Sequence, residues 1–201
     1  MDPESAWEYE LGIIQDFKVF TVRAAGWYYD IDDFINDNGI TIPPSGGSGA
    51  GTDCLCNIDH VKLYGGELEA TIKLGDRFRA TASYVYQRHS IDDTGYEHGW
   101  TYYLPDLLAR NKVKLLARYM VWEDGWFQLS SRYVDARKSQ RGKGMDPYIT
   151  VDVGFEQKFR LDQMEYMASI FCNNVTGADY EEIAGYEMPE YVWGFQVGVK
   201  F

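Results

Sequence analysis

Carboxylates dominate the reactive groups of this chain, with 31 Asp and Glu against 19 Lys and Arg and 3 His. General acid and base catalysis uses paired carboxylates, and Glu67/Glu69 and Asp152/Glu156 are the candidate pairs. Even spacing is also the repeat of one strand face, so the plainer reading is a wetted wall, and the spacing favours it. Asp30-Ile31-Asp32-Asp33, followed by Asn36-Asp37-Asn38-Gly39, offers oxygen ligands of the kind Ca²⁺ takes. Phe34 breaks the EF-hand register at its first ligand position, which points to a solvated acidic loop. Cys54 and Cys56 either bridge locally or stay free, and with Cys172 far away they make no zinc pattern. The stretch Ser45-Gly46-Gly47-Ser48-Gly49-Ala50-Gly51 has neither a following helix nor the Lys-Ser/Thr of a phosphate cradle, and reads as a flexible external loop. Ser90 beside His89, with His60 and His98 elsewhere, lacks the third group and the oxyanion donors of a hydrolase. No catalytic residue, metal or cofactor is expected, and the chain is not expected to be an enzyme.

The elements that would carry these residues are strands. A length of 201 residues suits one domain, and a net charge of −12 argues against a nucleic-acid partner, because phosphate neutralisation needs clustered Lys and Arg. Aromatics make up 16% of the chain, and no apolar run approaches the roughly 18 residues of a transmembrane helix. Membrane residence would therefore require a closed sheet with every backbone group paired. From Tyr191 to Phe201 each odd position is aromatic or Val, while the even ones are mostly Gly, Gln or Lys. The same two-residue period recurs at Ile149/Val151/Val153/Phe155 against Thr150/Asp152/Gly154/Glu156, and again in the segments around 64–73, 78–87 and 112–119. Full charges opposite grease in strand after strand suit a wet lumen on one side and hydrocarbon on the other.

About nine strands are expected at 7–15, 18–33, 59–74, 77–90, 107–121, 126–138, 147–159, 163–175 and 190–201, most reaching the ~9–11 residues of a tilted membrane crossing. Short turns at 15–17, 74–77, 123–125 and 161–163 alternate with long loops near 34–58, 91–106, 139–146 and 176–189, the arrangement of outer-membrane barrels. Asp124-Gly125 is the strongest turn signal, since both residues tolerate positive φ. Trp100, Tyr102, Tyr103, Trp122 and Trp126 fall at strand ends, where rings anchor at the lipid–water boundary. An odd strand count is awkward for a closed bacterial barrel, and Met1-Asp2-Pro3-Glu4-Ser5 has no secretion-signal character, so a piece of a longer protein is expected. The rival readings are a self-standing porin-like or adhesin-like barrel of about ten strands, and a soluble β-sandwich binding module.

Several short motifs, in order, resemble the closing part of the β-barrel of TonB-dependent outer-membrane receptors. Pro3-Glu4-Ser5 with Tyr9-Glu10-Leu11-Gly12 resembles the family's strand entry, and Trp27-Tyr28-Tyr29-Asp30 through Ile35 its aromatic strand running into an Asp-containing loop. Asn57 with Gly66-Glu67-Leu68-Glu69 is similar to its Asn…Gly-x-Glu-x-Glu descent, and Asn174-Val175 with Tyr180 to its strand exit. Where the family has Pro-Gly-Arg before the last strand, this chain has Met188-Pro189-Glu190.

The resemblance implies an all-β, antiparallel transmembrane barrel in which residues 1–201 form a carboxy-terminal segment, without plug domain, of a larger barrel of 22 strands. It implies a role in TonB-energised uptake of a scarce nutrient such as a ferric siderophore, with no transport by this segment alone. The bacterial outer membrane would be the location, and its lipid, the barrel-assembly machinery, TonB and a bulky metal chelate the partners. Phe201, with Trp193 and Phe195 on the same strand, would serve as the assembly signal, and Trp100 and Tyr103 would touch ligand at the outer mouth. Arg79, Arg110, Lys112, Lys114, Arg118 and Arg132 would face the lumen and shape its field.

Overall fold

The computed structural model describes residues 2–42, 52–92, 108–138 and 144–200. Nine long strands form one antiparallel sheet: β1 (Ser5–Asp16), β2 (Phe20–Ile42), β3 (Thr52–Leu74), β4 (Phe78–Asp92), β5 (Asn111–Trp122), β6 (Gly125–Val134), β9 (Tyr148–Leu161), β10 (Met164–Asn173) and β13 (Val192–Lys200). Each pairs with its sequence neighbour in the order β1-β2-β3-β4-β5-β6-β9-β10-β13, with β1 and β13 at the ends. Two small ribbons fill long connections: β7 (Arg137–Lys138) pairs with β8 (Gly144–Met145), and β11 (Glu181–Ile183) with β12 (Tyr186–Glu187). Among the described residues there is no helix, and none long and apolar enough to cross a membrane.

All nine expected strands are present, and the differences lie at their ends. The expected loop at 34–58 is largely strand, because β2 and β3 stay paired out to Ile42 and Thr52 with one irregularity between Asn36 and Ile40. β5 starts at Asn111 rather than near 107, β6 stops at Val134, and β10 stops at Asn173. At ~3.3 Å per residue, β2 and β3 with 23 residues each run far beyond a bilayer's apolar layer.

The register sorts side chains onto two faces. One face carries Leu11, Ile13, Val22, Ala24, Leu68, Ala70, Ala80, Ala82, Leu115, Ala117, Leu129, Val151, Val153, Ala168 and Val197 across the middle. Aromatic rows flank this aliphatic zone on the same face. Trp7, Tyr9, Tyr28, Tyr64, Tyr84, Tyr133 and Trp193 lie toward the long loops, and Phe20, Phe78, Tyr119, Phe127, Phe155, Phe159 and Tyr166 toward the short turns. No described element packs over this face: Leu11 is 82% exposed, Phe195 72% and Trp193 67%. In water such a continuous patch would drive aggregation; a lipid-facing band between aromatic girdles requires it.

Among the described residues, the opposite face holds most of the mid-sheet charges and both clusters of buried residues. Ile31 and Val61 pack with Tyr29, Leu63 and Ile91, and Ala109, Val134 and Tyr148 pack with Tyr180. Both clusters lie toward the long-loop end, and at the second the connections bearing Ala109 and Tyr180 fold back over the sheet.

The short turns are set locally. Gly75, Asp124 and Asp162 adopt positive φ of 58°, 58° and 53°, values that Gly and, less readily, Asp accept. Gly125 lies within β6 and serves a different need from the one expected of it. The Trp122 indole occupies the place a Cβ would take there.

Candidate functional site

The charged face is built from cross-strand pairs. Arg23 Nη1 lies 3.1 Å from Glu69 Oε1, directly opposite it in the register. The hydroxyls of Thr71 and Thr81 are 2.9 Å apart, and the Tyr29 hydroxyl donates to Glu8 at 2.8 Å. Arg118 Nη2 lies 2.7 Å from Glu156 Oε1, with its guanidinium carbon 4.4 Å from the centre of the Trp126 ring. Three of the four carboxylates weighed as acid–base pairs are therefore engaged in structure: Glu69 and Glu156 in ion pairs, and Asp152 by accepting from the Asn174 backbone N–H at 2.8 Å.

Arg79, Lys112, Lys114, Arg118 and Arg132 share this face. Arg110 stands just before β5, and its carbonyl accepts from the Gln87 N–H at 3.0 Å. Trp193 and Phe195 lie on the apolar face, whereas Phe201, Trp100, Tyr102 and Tyr103 fall outside the described residues. The side chains of Cys54 and Cys56 and the segment 45–51 also lie outside them, while Cys172 is a buried free thiol.

Trp126 corrects a sequence expectation. It pairs with Met120 and Glu156 on the charged face, under Arg118, and is no part of the boundary girdle. The acidic segment 30–33 is likewise strand and not loop: Asp30 and Asp32 flank His60, each carboxylate 2.8 Å from a ring nitrogen. Ser90 and His89, neighbours in β4, point to opposite faces and do not meet. Among the described residues no group of His, Cys, Asp and Glu could hold a metal ion.

Polar hubs organise the long-loop rim. Asn57 accepts from the Asp2 N–H at 2.8 Å and donates to the carbonyls of Asp2 at 2.9 Å and Asp33, while Glu4 accepts from the Ile35 N–H at 2.9 Å. Asn174, buried and at a φ of 51°, donates to the carbonyls of Ala178 at 2.7 Å and Pro189 at 3.3 Å and accepts from the Ala178 N–H at 2.9 Å. Asn111 accepts from Tyr84 at 2.7 Å and donates to Asp135 at 2.6 Å. That bond, aided by the Ala136 N–H and the Tyr133 hydroxyl, holds the Asp135 carboxyl below its ordinary range against the opposing pull of burial.

A further cluster escaped the sequence reading. Glu182 lies 2.6 Å from Arg132 and 3.7 Å from Arg137, and accepts from the Tyr148 hydroxyl at 2.9 Å, while the Tyr148 and Tyr180 rings stack at 4.5 Å. Arg137, Tyr148 and Glu182 carry no local signal, because they meet only when the connection after β10 folds back over β6 and β9.

The model of the family described as TonB dependent receptor-like, beta-barrel matches residues 1–175. The chain is 27% identical over 159 residues to the vitamin B12 transporter BtuB of Vibrio vulnificus (strain YJ016), covering 79% of this chain and 23% of that protein. The copper transporter OprC shares its fold with a TM-score of 0.74 at 17% identity, over 98% of this chain and 31% of that one. The ferric yersiniabactin uptake receptor FyuA of Yersinia pestis gives 0.67 at 15% identity, over 98% and 29%. The chain thus spans less than a third of the length of each of these relatives. With a family match over most of its length and a sheet whose two faces suit lipid and lumen, this chain belongs to the TonB-dependent receptor family and forms wall of its β-barrel.

Proposed function

We propose that this chain is part of the wall of an outer-membrane transporter that imports a scarce, bulky nutrient such as a ferric siderophore, with energy supplied through TonB. The observation that carries this reading is the uncovered apolar face, aliphatic between two aromatic rows across nine strands, in a chain of this family. On this reading residues 1–201 supply wall and outer loops to a larger barrel of 22 strands and do not transport by themselves. Arg79, Arg110, Lys112, Lys114, Arg118 and Arg132 face the lumen, where a row of cations in a confined space attracts anionic solutes. Trp100 and Tyr103 contact cargo at the outer mouth. Phe201, with Trp193 and Phe195, presents the aromatic signal to the barrel-assembly machinery.

The test uses cells expressing the protein from its own gene. Outer membranes should contain a band that shifts on boiling, and ferric-siderophore accumulation should require both this gene and TonB. A protein recovered fully soluble without detergent would sink the proposal. Phe201→Ala should slow appearance of the heat-shifted band, and unchanged assembly kinetics would remove that role.

A further inference from the structure

On the charged face toward the long loops, β4, β5, β6 and the start of β9, with Arg137 and Glu182, line a half-open cavity of about 440 Å³. Four cationic side chains line it, Lys112, Lys114, Arg132 and Arg137, against the single carboxylate of Glu182. This is a concentration of positive charge in a chain whose net charge is −12. Lys114 stands directly opposite Arg132 in the register, and like charges so placed repel unless an anion lies between or beside them.

Glu182 does not neutralise the set. One of its oxygens is already shared by Arg132 and the Tyr148 hydroxyl, and the other is 3.7 Å from Arg137. None of the ion pairs among the described residues uses Lys112 or Lys114. Only 9% of the Arg137 side chain is exposed. Its Nη2 donates to the carbonyls of Glu181 at 3.1 Å and Glu182 at 3.0 Å, but its buried Nη1 has no acceptor. A buried charged donor left without a partner is costly, and a guanidinium matches the paired oxygens of a carboxylate or phosphate. Val85, Leu108 and Val134 line the remainder of the cavity and suit the carbon skeleton of an organic anion.

We propose that this cavity is a subsite for an oxyanion, carboxylate or phosphate, carried by the small molecule that the transporter imports. The inference rests on the transport reading and specifies the chemistry of its cargo. Arg137 Nη1 supplies the fixed donor, and Lys112, Lys114 and Arg132 supply the field.

The protein, produced from its own gene and extracted from outer membranes in detergent, is titrated calorimetrically with citrate alone and with inorganic phosphate alone. At least one anion should bind, and more weakly as salt is raised. Arg137→Gln should weaken binding roughly tenfold or more, as expected for loss of a charge-assisted bond. The double substitution Lys112→Gln/Lys114→Gln, which leaves the Glu182 contacts intact, should weaken it to a similar extent. Lys73→Gln, on the same face at the turn end, should not. Binding of citrate alone assigns a carboxylate, and of phosphate alone a phosphate. Two results overturn the subsite while leaving the transport reading intact: no binding of either anion to heat-shifted protein, or equal weakening by Lys73→Gln. Absence of the protein from outer membranes overturns the transport reading, and the subsite with it.

Discussion

The two rims of this sheet are held by different means. At the turn rim, backbone joins backbone: the carbonyls of Val19, Arg77 and Asp124 accept from the N–H groups of Lys73, Met120 and Lys158 at 2.8, 2.7 and 3.0 Å. Three of the four short turns thus dock onto a neighbouring strand through the peptide group that every sequence carries. At the loop rim, side chains span long stretches of chain: Asn57 reaches Asp2, Asn174 reaches Pro189, Asn111 reaches Asp135, and Arg137 reaches Glu182. The turn rim therefore leans more on backbone conformation, although Trp122 Nε1 also donates to Gln157 Oε1 there at 2.6 Å. The loop rim leans more on particular side chains, and removing one of them should cost more than changing a residue type at a turn.

This contrast can be broken most severely at Asn174. Asn174→Ala removes two donated and two accepted side-chain bonds from a buried position and leaves Ala at positive φ, a combined cost of about 3 kcal/mol. Urea unfolding in lipid vesicles measures it, and a loss below ~1 kcal/mol would refute the distinction between the rims. At the turn rim, Asp124→Val places a β-branched residue at a φ of 58° and should cost about 1–2 kcal/mol, whereas Asp124→Gly should be nearly neutral in the same assay. A larger loss for Asp124→Gly would mean that the aspartate side chain, and not the backbone, holds the turn.

The smallest effect belongs to Asp135. Because its carboxyl titrates lower in the folded chain than in the unfolded one, its contribution is present above the ordinary aspartate range and is lost as pH falls through the folded value. The stability gap between the parent and Asp135→Asn should accordingly be open near neutral pH and close on acidification into and below that range. A gap that stays constant with pH would show that the Asn111–Asp135 bond does not depend on the charge.

Much of the fold was legible because a strand's two faces are written at a fixed period. Phe78 through Tyr86 and Ile149 through Phe155 declare their faces with no knowledge of their neighbours. That period also marks where the reading fails. Trp122 and Trp126 have the same sequence parity, yet Trp122 is on the apolar face and Trp126 on the charged one, because the pairing slips between Met120 and Trp122. A slip of one residue inverts everything beyond it, and nothing in the local composition announces it.

Local pattern alone was enough to show that the chain makes amphipathic strands, where the short turns fall, and that lysines and arginines share a face with Glu69 and Glu156. These follow from alternation and turn chemistry, both of which act over a few residues. The folded arrangement was needed to show that β2 and β3 pair far beyond a bilayer's thickness, that Asp30 and Asp32 flank His60, and that Arg137 meets Glu182 beside Lys112 and Lys114. Such meetings depend on how connections fold back over neighbouring strands, and that path is set by packing and hydrogen bonding between distant segments rather than by any local pattern.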